Sequence, residues 1–294
     1  HIEVASNPEF LAQGSAVHDT LHAARIIIGT ESEEAEKLLR EIYEPFQLPI
    51  VAMNRRSDEM TKYACNDFLA LKISYMNDIA NLCEKIGANI EDVAKGMSYD
   101  ARIGANFLKA GIGYGGSCFP KDTKALKFQA HKVGYRLRTV EAAVDVNADQ
   151  KTALFYKASN RMISFEHLKV AVLGLAFKPG TDDLREAPSI DNISLLLKNG
   201  ADIVAYDPVA MSNFKKKFPE GVVERGTISY TEQIEEALKD ANICFIFTEW
   251  KEIRKVKPET FKRLMRTSLV YDGRNIFEPE KMKEAGVEYY SIGR

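Results

Sequence analysis

The hydrophobic pattern of this 294-residue chain changes twice, and these changes constrain its fold more than any other feature. Short apolar runs alternate with helical spacing up to about residue 54, helical spacing alone continues to about 166, and the alternation then returns. Repeated strand–helix units predict a sheet covered by helices, whereas the middle stretch predicts packed helices. We therefore predict an α/β protein with sections 1–54, 55–166 and 167–294.

The first section contains two strand-like runs, 25–29 and 49–53, separated by helical spacing over 32–43 with acidic residues in its first turns. Two strands do not make a stable domain. We therefore expect this section to be the tail of an N-terminal Rossmann domain. Its other strands would precede His1 in a longer polypeptide.

The middle section has apolar residues at helical spacing from Ser57 to a stop at Gly87, which predicts one long central helix. A glycine-rich loop follows at 109–117. Further helices are predicted at 89–97, 120–132 and 139–162.

The last section alternates strands with helices. The strands are predicted at 170–173, 203–206, 243–247 and 269–272. Units of this size imply a doubly wound parallel sheet that binds its ligands at the carboxyl ends of the strands.

Composition argues against several classes of partner. Forty Lys and Arg against 42 Asp and Glu give a net charge of −2, so we expect no nucleic-acid partner. Without a long apolar window or a secretory signal in the first thirty residues, we expect a cytoplasmic protein with no membrane partner. Four cysteines without C-x-x-C spacing, and histidines without companions, predict neither disulfides nor a metal site.

Cys118 is the most distinctive candidate for chemistry. It follows a glycine-rich loop and precedes Pro120, which suits the first turn of a helix. A helix N-terminus and the nearby Lys121 would both favour a thiolate, and Asp122 on the same helical face could orient a proton or a water. The alternative is an inert thiol beside a tight loop. The other cysteines are predicted to fill the core: Cys65, Cys83 and Cys244.

Two further groups could stabilise or attack a reacting carbonyl. Lys62 and Asn66 lie four residues apart on the predicted long helix, and an ammonium beside an amide can stabilise a developing oxyanion. Glu9 lies in a non-periodic loop and could act as a base toward water. A solvated lysine beside a polar neighbour, and a turn cap at Glu9, are the alternatives.

Residues 173–183 follow a strand and precede a helix, where a nucleotide phosphate binds in this architecture. Lys178 in this segment and Arg274 after the last predicted strand could meet phosphate or sugar, or could be ordinary surface cations.

Three segments resemble the nucleotide-sugar 6-dehydrogenases of the UDP-glucose/GDP-mannose dehydrogenase family: residues 6–11 (SNPEFL), 113–122 (GYGGSCFPKD) and 177–186 (FKPGTDDLRE). Their order implies that the resemblance covers nearly the whole chain. It implies an N-terminal Rossmann domain that binds NAD, a helical middle domain that forms a homodimer, and a C-terminal Rossmann-like domain that holds a UDP-sugar.

The resemblance also implies a chemistry, namely oxidation of the C6 alcohol of UDP-glucose to a carboxylate with two NAD in succession. Cys118 would carry the thiohemiacetal and thioester intermediates. Lys62 and Asn66 would stabilise the oxyanion, Asp122 would assist proton transfer, and Glu9 would assist hydrolysis of the thioester.

The family's binding residues carry over by position. Arg102 would reach the sugar site of the partner subunit. The remaining substrate-binding positions are Phe10, Leu11, Phe107, Lys109, Gly111, Gly113, Tyr114, Gly115, Phe177, Lys178 and Arg274. The cofactor-binding positions are Gln13, Lys121 and Arg185.

The chain departs from the family pattern at two places. Gln13 stands where a glutamate is common, and the N-terminal G-x-G-x-x-G strand–turn–helix is missing, so we expect these residues alone to turn over poorly. A GDP-mannose 6-dehydrogenase and a non-catalytic nucleotide-sugar binding module are the alternatives, and a UDP-N-acetylmannosamine dehydrogenase ranks third. Phe119 and the FKPG segment favour UDP-glucose, and Cys118 with its companion residues favours an enzyme.

Overall fold

The computed structural model describes residues 2–294, and the chain divides into two compact units, His1–Phe68 and Leu69–Arg294. The elements of the first unit are α1 (Ala16–Leu21), β1 (Ile26–Gly29), α2 (Glu33–Tyr43), a 3₁₀ turn (Glu44–Phe46), β2 (Ile50–Met53) and the start of α3 (Arg55–Ile86).

The first unit confirms the predicted strand–helix–strand order. β1 and β2 pair in parallel from Ile26 opposite Ile50 onward, and the Ser32 side chain caps α2 by accepting the Ala35 N–H. The short helix α1 was not predicted. It has no buried residue, so its sequence carries no apolar periodicity.

Gly29 ends β1 at a place where a side chain cannot fit. A Cβ there would lie 2.4 Å from the Cβ of Asp58, a fully buried residue in the first turn of α3. The glycine therefore allows β1 and α3 to approach closely.

The second unit begins with helices, as predicted. Beyond α3 these are α4 (Ile90–Ser98), α5 (Cys118–Lys132) and α6 (Arg138–Ser159). Two boundaries differ from prediction, because α5 begins two residues before Pro120 and α6 ends three residues before Met162. Asn89 caps α4, since its side chain accepts the Glu91 N–H.

A seven-stranded sheet follows, with strand order β5-β6-β4-β3-β7-β8-β9. Its strands are β3 (Lys169–Leu173), β4 (Asp202–Tyr206), β5 (Gly221–Val223), β6 (Gly226–Tyr230), β7 (Ile243–Ile246), β8 (Leu269–Asp272) and β9 (Glu288–Tyr290). The helices between them are α7 (Pro188–Lys198), α8 (Met211–Lys217), α9 (Ile234–Leu238), α10 (Lys251–Arg254), α11 (Pro258–Leu264) and α12 (Pro279–Glu284).

The sheet confirms the doubly wound prediction, but three of its seven strands, β5, β6 and β9, were not predicted. All its neighbouring strands are parallel except β5, which pairs antiparallel with β6 at one edge. Strand order reverses direction between β3 and β7, the position where sheets of this class bind ligands. All four residues of β7 are buried, which explains why it was predicted as a continuous apolar run.

Within residues 2–294, no helix combines the length and apolarity needed to cross a bilayer.

Candidate active site

Cys118 is the first residue of α5 and is exposed, so the predicted helix N-terminus is confirmed. One turn later Asp122 is only 2% exposed. Its Oδ1 lies 3.2 Å from the Nζ of Lys121, whose side chain extends into solvent. The segment thus combines an accessible thiol with a buried carboxyl on one helical turn.

A second cation acts on Cys118 from the loop after β3. The pKa of Arg185 is raised, chiefly by its hydrogen bonds to Asp183 and in part by the charge of Cys118. Two bonds hold the guanidinium in place, from Nη2 to Asp183 Oδ2 (2.7 Å) and from Nε to Oδ1 (3.0 Å). The same contact holds the pKa of Asp183 below its usual value.

The glycine-rich loop before Cys118 lies against the sheet domain. Gly116 N–H donates to the Arg185 carbonyl at 2.7 Å, and Ile112 N–H donates to the Gly273 carbonyl at 2.8 Å. A Cβ on Gly115 would lie 2.4 Å from the Glu186 carbonyl oxygen, and one on Gly116 would lie 2.7 Å from the ring of Phe177. These two glycines are required by close backbone and ring approach.

The spacing of Gly111, Gly113 and Gly116 formally matches G-x-G-x-x-G. That fingerprint indicates a dinucleotide site only when a strand leads into it. Here residues 104–110 form no strand, so the segment is a loop between helices.

Arg274 lies at the carboxyl end of β8 and joins three loops. Its Nε donates to the Phe247 carbonyl (2.9 Å), Nη1 to that of Gly113 (3.2 Å) and Nη2 to that of Phe177 (2.9 Å). The side chain also lies 3.3 Å from the Glu249 carboxylate. If Arg274 contacts a nucleotide sugar, as predicted, the same guanidinium both binds the ligand and holds the surrounding loops in place.

Asp207, which sequence analysis missed, organises the end of β3. Its Oδ2 accepts the Leu175 N–H (2.7 Å), the Ala176 N–H (3.1 Å) and the indole N–H of Trp250 (2.9 Å). Its Oδ1 accepts two more N–H groups, those of Val209 and Ala210. An acid directly after a predicted strand was the signal that could have revealed it.

Glu186 ties the loop after β3 to two helices. Its carboxylate lies 2.7 Å from the Nζ of Lys124 on α5 and 2.6 Å from the Nζ of Lys151 on α6. These two ammonium groups lower the pKa of Glu186 to about 2. Its backbone has a φ of 54°, and the ion pairs hold this strained residue against Gly115.

In the first unit the structure brings Glu9 and Lys62 together. The Nζ of Lys62 lies 3.0 Å from Glu9 Oε1 and also contacts the Glu9 carbonyl. Glu9 Oε2 accepts the Leu11 N–H at 2.7 Å, and Phe10 presents its ring to the Arg25 guanidinium at 4.1 Å. Sequence analysis predicted each residue as a candidate but not their ion pair.

Fixed contacts hold the loop that carries Glu9. Ser6 and Gly29 exchange two backbone hydrogen bonds of 2.8 Å, and the Asn7 side chain donates to the Ile27 carbonyl at 2.7 Å. Asn66 is buried one turn after Lys62 on α3, whereas Gln13 is exposed.

The remaining candidates vary in setting. Arg102 is exposed and forms a bidentate pair with Asp100, and Lys109 is exposed as well. Tyr114 is buried, and its ring meets that of Phe119 edge-on at 5.7 Å. Phe107 is exposed, and its backbone φ is 64°. Lys178 is half-buried, and its Nζ lies 5.5 Å from the centroid of the Phe177 ring.

The other cysteines divide into two kinds. Cys83 and Cys244 are buried, as predicted, and burial raises the pKa of Cys244. The prediction of core filling fails in part for Cys65, which is half-buried and accepts a hydrogen bond from Arg25 at 3.6 Å. The face of α3 that carries Cys65 therefore meets the charged side chain of Arg25 as well as apolar residues.

Comparison with known proteins gives a consistent result along the chain. Three family models match, all from the UDP-glucose/GDP-mannose dehydrogenase family: the NAD binding domain (residues 1–47), the central domain (56–149) and the UDP binding domain (171–279). The chain is 50% identical to UDP-glucose 6-dehydrogenase YwqF of Bacillus subtilis over 293 residues, which are 100% of this chain and 65% of that protein.

Two further relatives are also named as UDP-glucose dehydrogenases. The chain is 42% identical to a UDP-glucose 6-dehydrogenase of Rhizobium meliloti, covering 100% of this chain and 67% of that protein. It superposes on a UDP-glucose dehydrogenase of the archaeon Pyrobaculum islandicum with a TM-score of 0.88 and 34% identity, over 98% of this chain and 63% of that structure. The chain thus spans less than two thirds of the YwqF length.

Proposed function

This chain belongs to the UDP-glucose/GDP-mannose dehydrogenase family, and we propose on that basis that it carries the nucleophile and the sugar-nucleotide site of a UDP-glucose 6-dehydrogenase. The observation that carries the proposal is the setting of Cys118. It is exposed at a helix N-terminus, within electrostatic range of Arg185 and one turn from buried Asp122. Simple binding of a nucleotide sugar needs no such thiol.

The residues present are compatible with NAD. The β1–α2–β2 unit is parallel, as in a Rossmann domain, and the exposed cations of Lys121 and Arg185 near Cys118 could meet a pyrophosphate. Gln13 is the third residue proposed to contact the cofactor. Two NAD bound in succession would supply the acceptors for the two hydrides that leave C6 of the sugar, one hydride each.

Cys118 would act between the two oxidations. Its thiolate adds to the C6 aldehyde, a C–S bond forms, and the carbonyl oxygen takes a proton to give a thiohemiacetal. Loss of the second hydride and of that proton leaves a thioester. Water then adds to the thioester carbon, the C–S bond breaks, and the free thiolate and the carboxylate are released. Covalent capture keeps a reactive aldehyde on the protein throughout.

The other candidates would supply charge and protons. Lys62 and Asn66 would stabilise the negative oxygen on C6 during addition and hydrolysis. Asp122 would hold the proton that moves to or from that oxygen, and Glu9 would take a proton from the attacking water. The ion pair between Lys62 and Glu9 supports these roles because it fixes both side chains before any substrate arrives.

We propose the sugar nucleotide to be UDP-glucose, held by the loop 109–115 together with Phe177, Lys178 and Arg274. The rigid loop backbone and the guanidinium of Arg274 support this assignment, since both meet at the carboxyl end of the sheet.

The experiment is a calorimetric titration of this chain with UDP-glucose and with GDP-mannose, combined with iodoacetamide labelling followed by peptide mass spectrometry. We expect UDP-glucose to bind at least about tenfold more tightly than GDP-mannose, a difference of roughly 1.4 kcal/mol. Cys118 should be alkylated faster than half-buried Cys65, which serves as the internal control. The Cys118→Ala variant should retain UDP-glucose binding.

Tighter binding of GDP-mannose than of UDP-glucose would identify GDP-mannose as the substrate instead. Equal alkylation rates for Cys118 and Cys65 would contradict the proposal that Cys118 is the nucleophile.

We also propose a homodimer through the helical section. Exposed apolar side chains recur on one face of α3 at intervals of seven and four residues: Phe68, Tyr75, Leu82 and Ile86. A second copy of this chain is the occupant that such a self-complementary stripe suits. Light scattering after gel filtration should show a dimer that Leu82→Lys dissociates and Val133→Lys, a change at an exposed apolar residue outside α3, leaves intact. An unchanged mass for Leu82→Lys would refute the interface.

A further inference from the structure

Residues 111–116 of the glycine-rich loop before Cys118 are buried but belong to no helix or strand. Its backbone groups must therefore find partners elsewhere, because a buried N–H or C=O without a hydrogen bond is costly. Side-chain amides provide several of those partners.

Asn147 on α6 binds both backbone groups of Tyr114. Its Oδ1 accepts the Tyr114 N–H at 2.8 Å, and its Nδ2 donates to the Tyr114 carbonyl at 3.1 Å. These two bonds satisfy the N–H and the C=O of one residue together, as a paired residue on a neighbouring β-strand would. Because Asn147 is 5% exposed, water does not compete effectively for these bonds.

Two further amides bind Gly111 in the same way. The Asn77 side chain on α3 accepts the Gly111 N–H at 2.9 Å, and Gln150 on α6 donates to the Gly111 carbonyl at 2.7 Å. Gln150 is itself oriented by Asn81, whose Nδ2 donates to it at 2.9 Å. The peptides at Gly111 and Tyr114 are thus fixed from the helical side of the loop.

Gly113 shows how closely the loop fits Asn147. It has a φ of 89°, and a Cβ there would lie 2.8 Å from Asn147 Oδ1. A glycine-rich segment would otherwise sample many conformations, and ordering it on ligand binding would weaken affinity. The amide removes that freedom in advance.

We propose that Asn147 is a positioning residue that fixes the peptide of Tyr114, and with it the path of the chain into Cys118. The ligand whose binding depends on this loop would be a nucleoside-diphosphate sugar, and this part of the inference rests on the proposed function. Asn147 acts through the loop backbone and touches no reacting atom. Gln150 and Asn77 fix the other end of the same segment.

The test compares Asn147→Leu, which removes both bonds at similar volume, with Asn147→Asp, which keeps the acceptor for the Tyr114 N–H. The matched control is Asn192→Leu. Asn192 is also buried; it donates to the Lys151 and Pro188 carbonyls and accepts the Phe155 N–H, and none of these described hydrogen bonds involves the loop. Both leucine variants should lower the unfolding temperature to a similar extent.

Three readouts separate positioning from simple stability: hydrogen exchange of the peptide that covers 111–117, the rate of Cys118 alkylation, and the affinity for UDP-glucose. Asn147→Leu should lose exchange protection of this peptide, change the alkylation rate at least about threefold, and weaken UDP-glucose binding roughly tenfold or more. Asn147→Asp should fall between it and the wild type. Asn192→Leu should stay within about twofold of wild type in all three readouts.

Equal effects of Asn147→Leu and Asn192→Leu on the three readouts would overturn the inference, as would wild-type behaviour of Asn147→Leu. If Asn147→Leu does not fold, Asn147→Asp decides alone, and unchanged exchange, alkylation and affinity would overturn the inference. If the wild-type chain does not bind UDP-glucose, the proposed function fails, while exchange and alkylation still decide the role of Asn147.

Discussion

The two compact units are built from similar elements but differ in how much of each element is buried. In the second unit all four residues of β7 are buried, and helices pack against the sheet around it. In the first unit β2 has no fully buried residue, and neither does α2. The first unit buries three of the four residues of β1, whereas the seven-stranded sheet buries β7 and β8 completely. Local sequence therefore forms the same strand–helix–strand pattern in both units, but the larger sheet buries more of its strands.

The polar interactions of the two units also differ in how deeply they are buried. The second unit fixes its loops with buried groups, such as Asp207 at the end of β3, whereas the Glu9 side chain in the first unit is held by a partly exposed ion pair. Buried hydrogen-bonded groups are costly to disrupt, and exposed pairs contribute little to stability. Substitutions in the two units should therefore differ in size, as the following variants test.

The largest effect is expected at Asp207 in the second unit. Asp207→Ala would leave several buried N–H groups without an acceptor, including those of Leu175 and Trp250. We expect a loss of about 3–5 kcal/mol in the free energy of unfolding, measured by urea titration. Asp182→Ala is the control, because exposed Asp182 accepts from Asn213 alone in the bonds described and should cost less than about 1 kcal/mol. Similar losses for both would contradict the comparison.

The next effect tests the close packing of the first unit. Gly29→Ala places a Cβ 2.4 Å from the Cβ of Asp58, and relieving this clash requires β1 and α3 to separate. We expect about 1–3 kcal/mol of destabilisation, monitored by hydrogen exchange in residues 26–29.

Gly96→Ala in α4 is the control for that substitution. Its Cβ meets no atom within 4 Å, so alanine should stabilise the helix by about 0.5–1 kcal/mol. If Gly29→Ala left exchange in β1 unchanged, the first unit would be more loosely packed than the structure indicates.

The third effect is a pH dependence at Glu186. Its folded pKa is about 2, below the unfolded value near 4.5, so its ion pairs stabilise the fold above about pH 4.5 and lose that contribution as pH falls toward 2. Glu186→Gln should cost about 1 kcal/mol at pH 6, since partial exposure screens the pairs, and clearly less at pH 3. Urea titrations at both pH values measure the difference. A loss that is constant with pH would exclude the ion pairs as its cause.

The smallest effect is expected for the corresponding pair in the first unit. Glu9→Gln removes the charge opposite Lys62 in an exposed setting and should change the free energy of unfolding by less than about 0.5 kcal/mol. The same urea titration measures it. A cost as large as that of Glu186→Gln would mean that the Glu9–Lys62 pair contributes as much to stability as the ion pairs of Glu186.

Features encoded by local sequence were predictable. Cys118 at a helix N-terminus followed from the glycines before it and Pro120 after it, and the strand–helix order followed from periodicity. The antiparallel edge strand β5 was missed, because three residues, two of them exposed, carry no periodic signal.

The polar partners in the core were not predictable. Asn147 and Gln150 look like ordinary polar residues of a helix, and their partners Tyr114 and Gly111 lie more than thirty residues away in sequence. Arg274 was predicted to meet a ligand, but its bonds to three backbone carbonyls depend on how separate strands end side by side. Such contacts are set by tertiary structure and leave no local pattern.

Asp207 uses both of its carboxylate oxygens inside the second unit. In a dinucleotide-binding sheet the acid after the second strand reads the hydroxyls of an adenosine ribose. Here β3 and β4 have the matching topology, but both oxygens of that acid are already occupied by backbone and indole N–H groups. A ribose would have to displace an internal bond to reach it. In the second unit the acid at this position therefore holds the backbone after β3 and β4 together with Trp250.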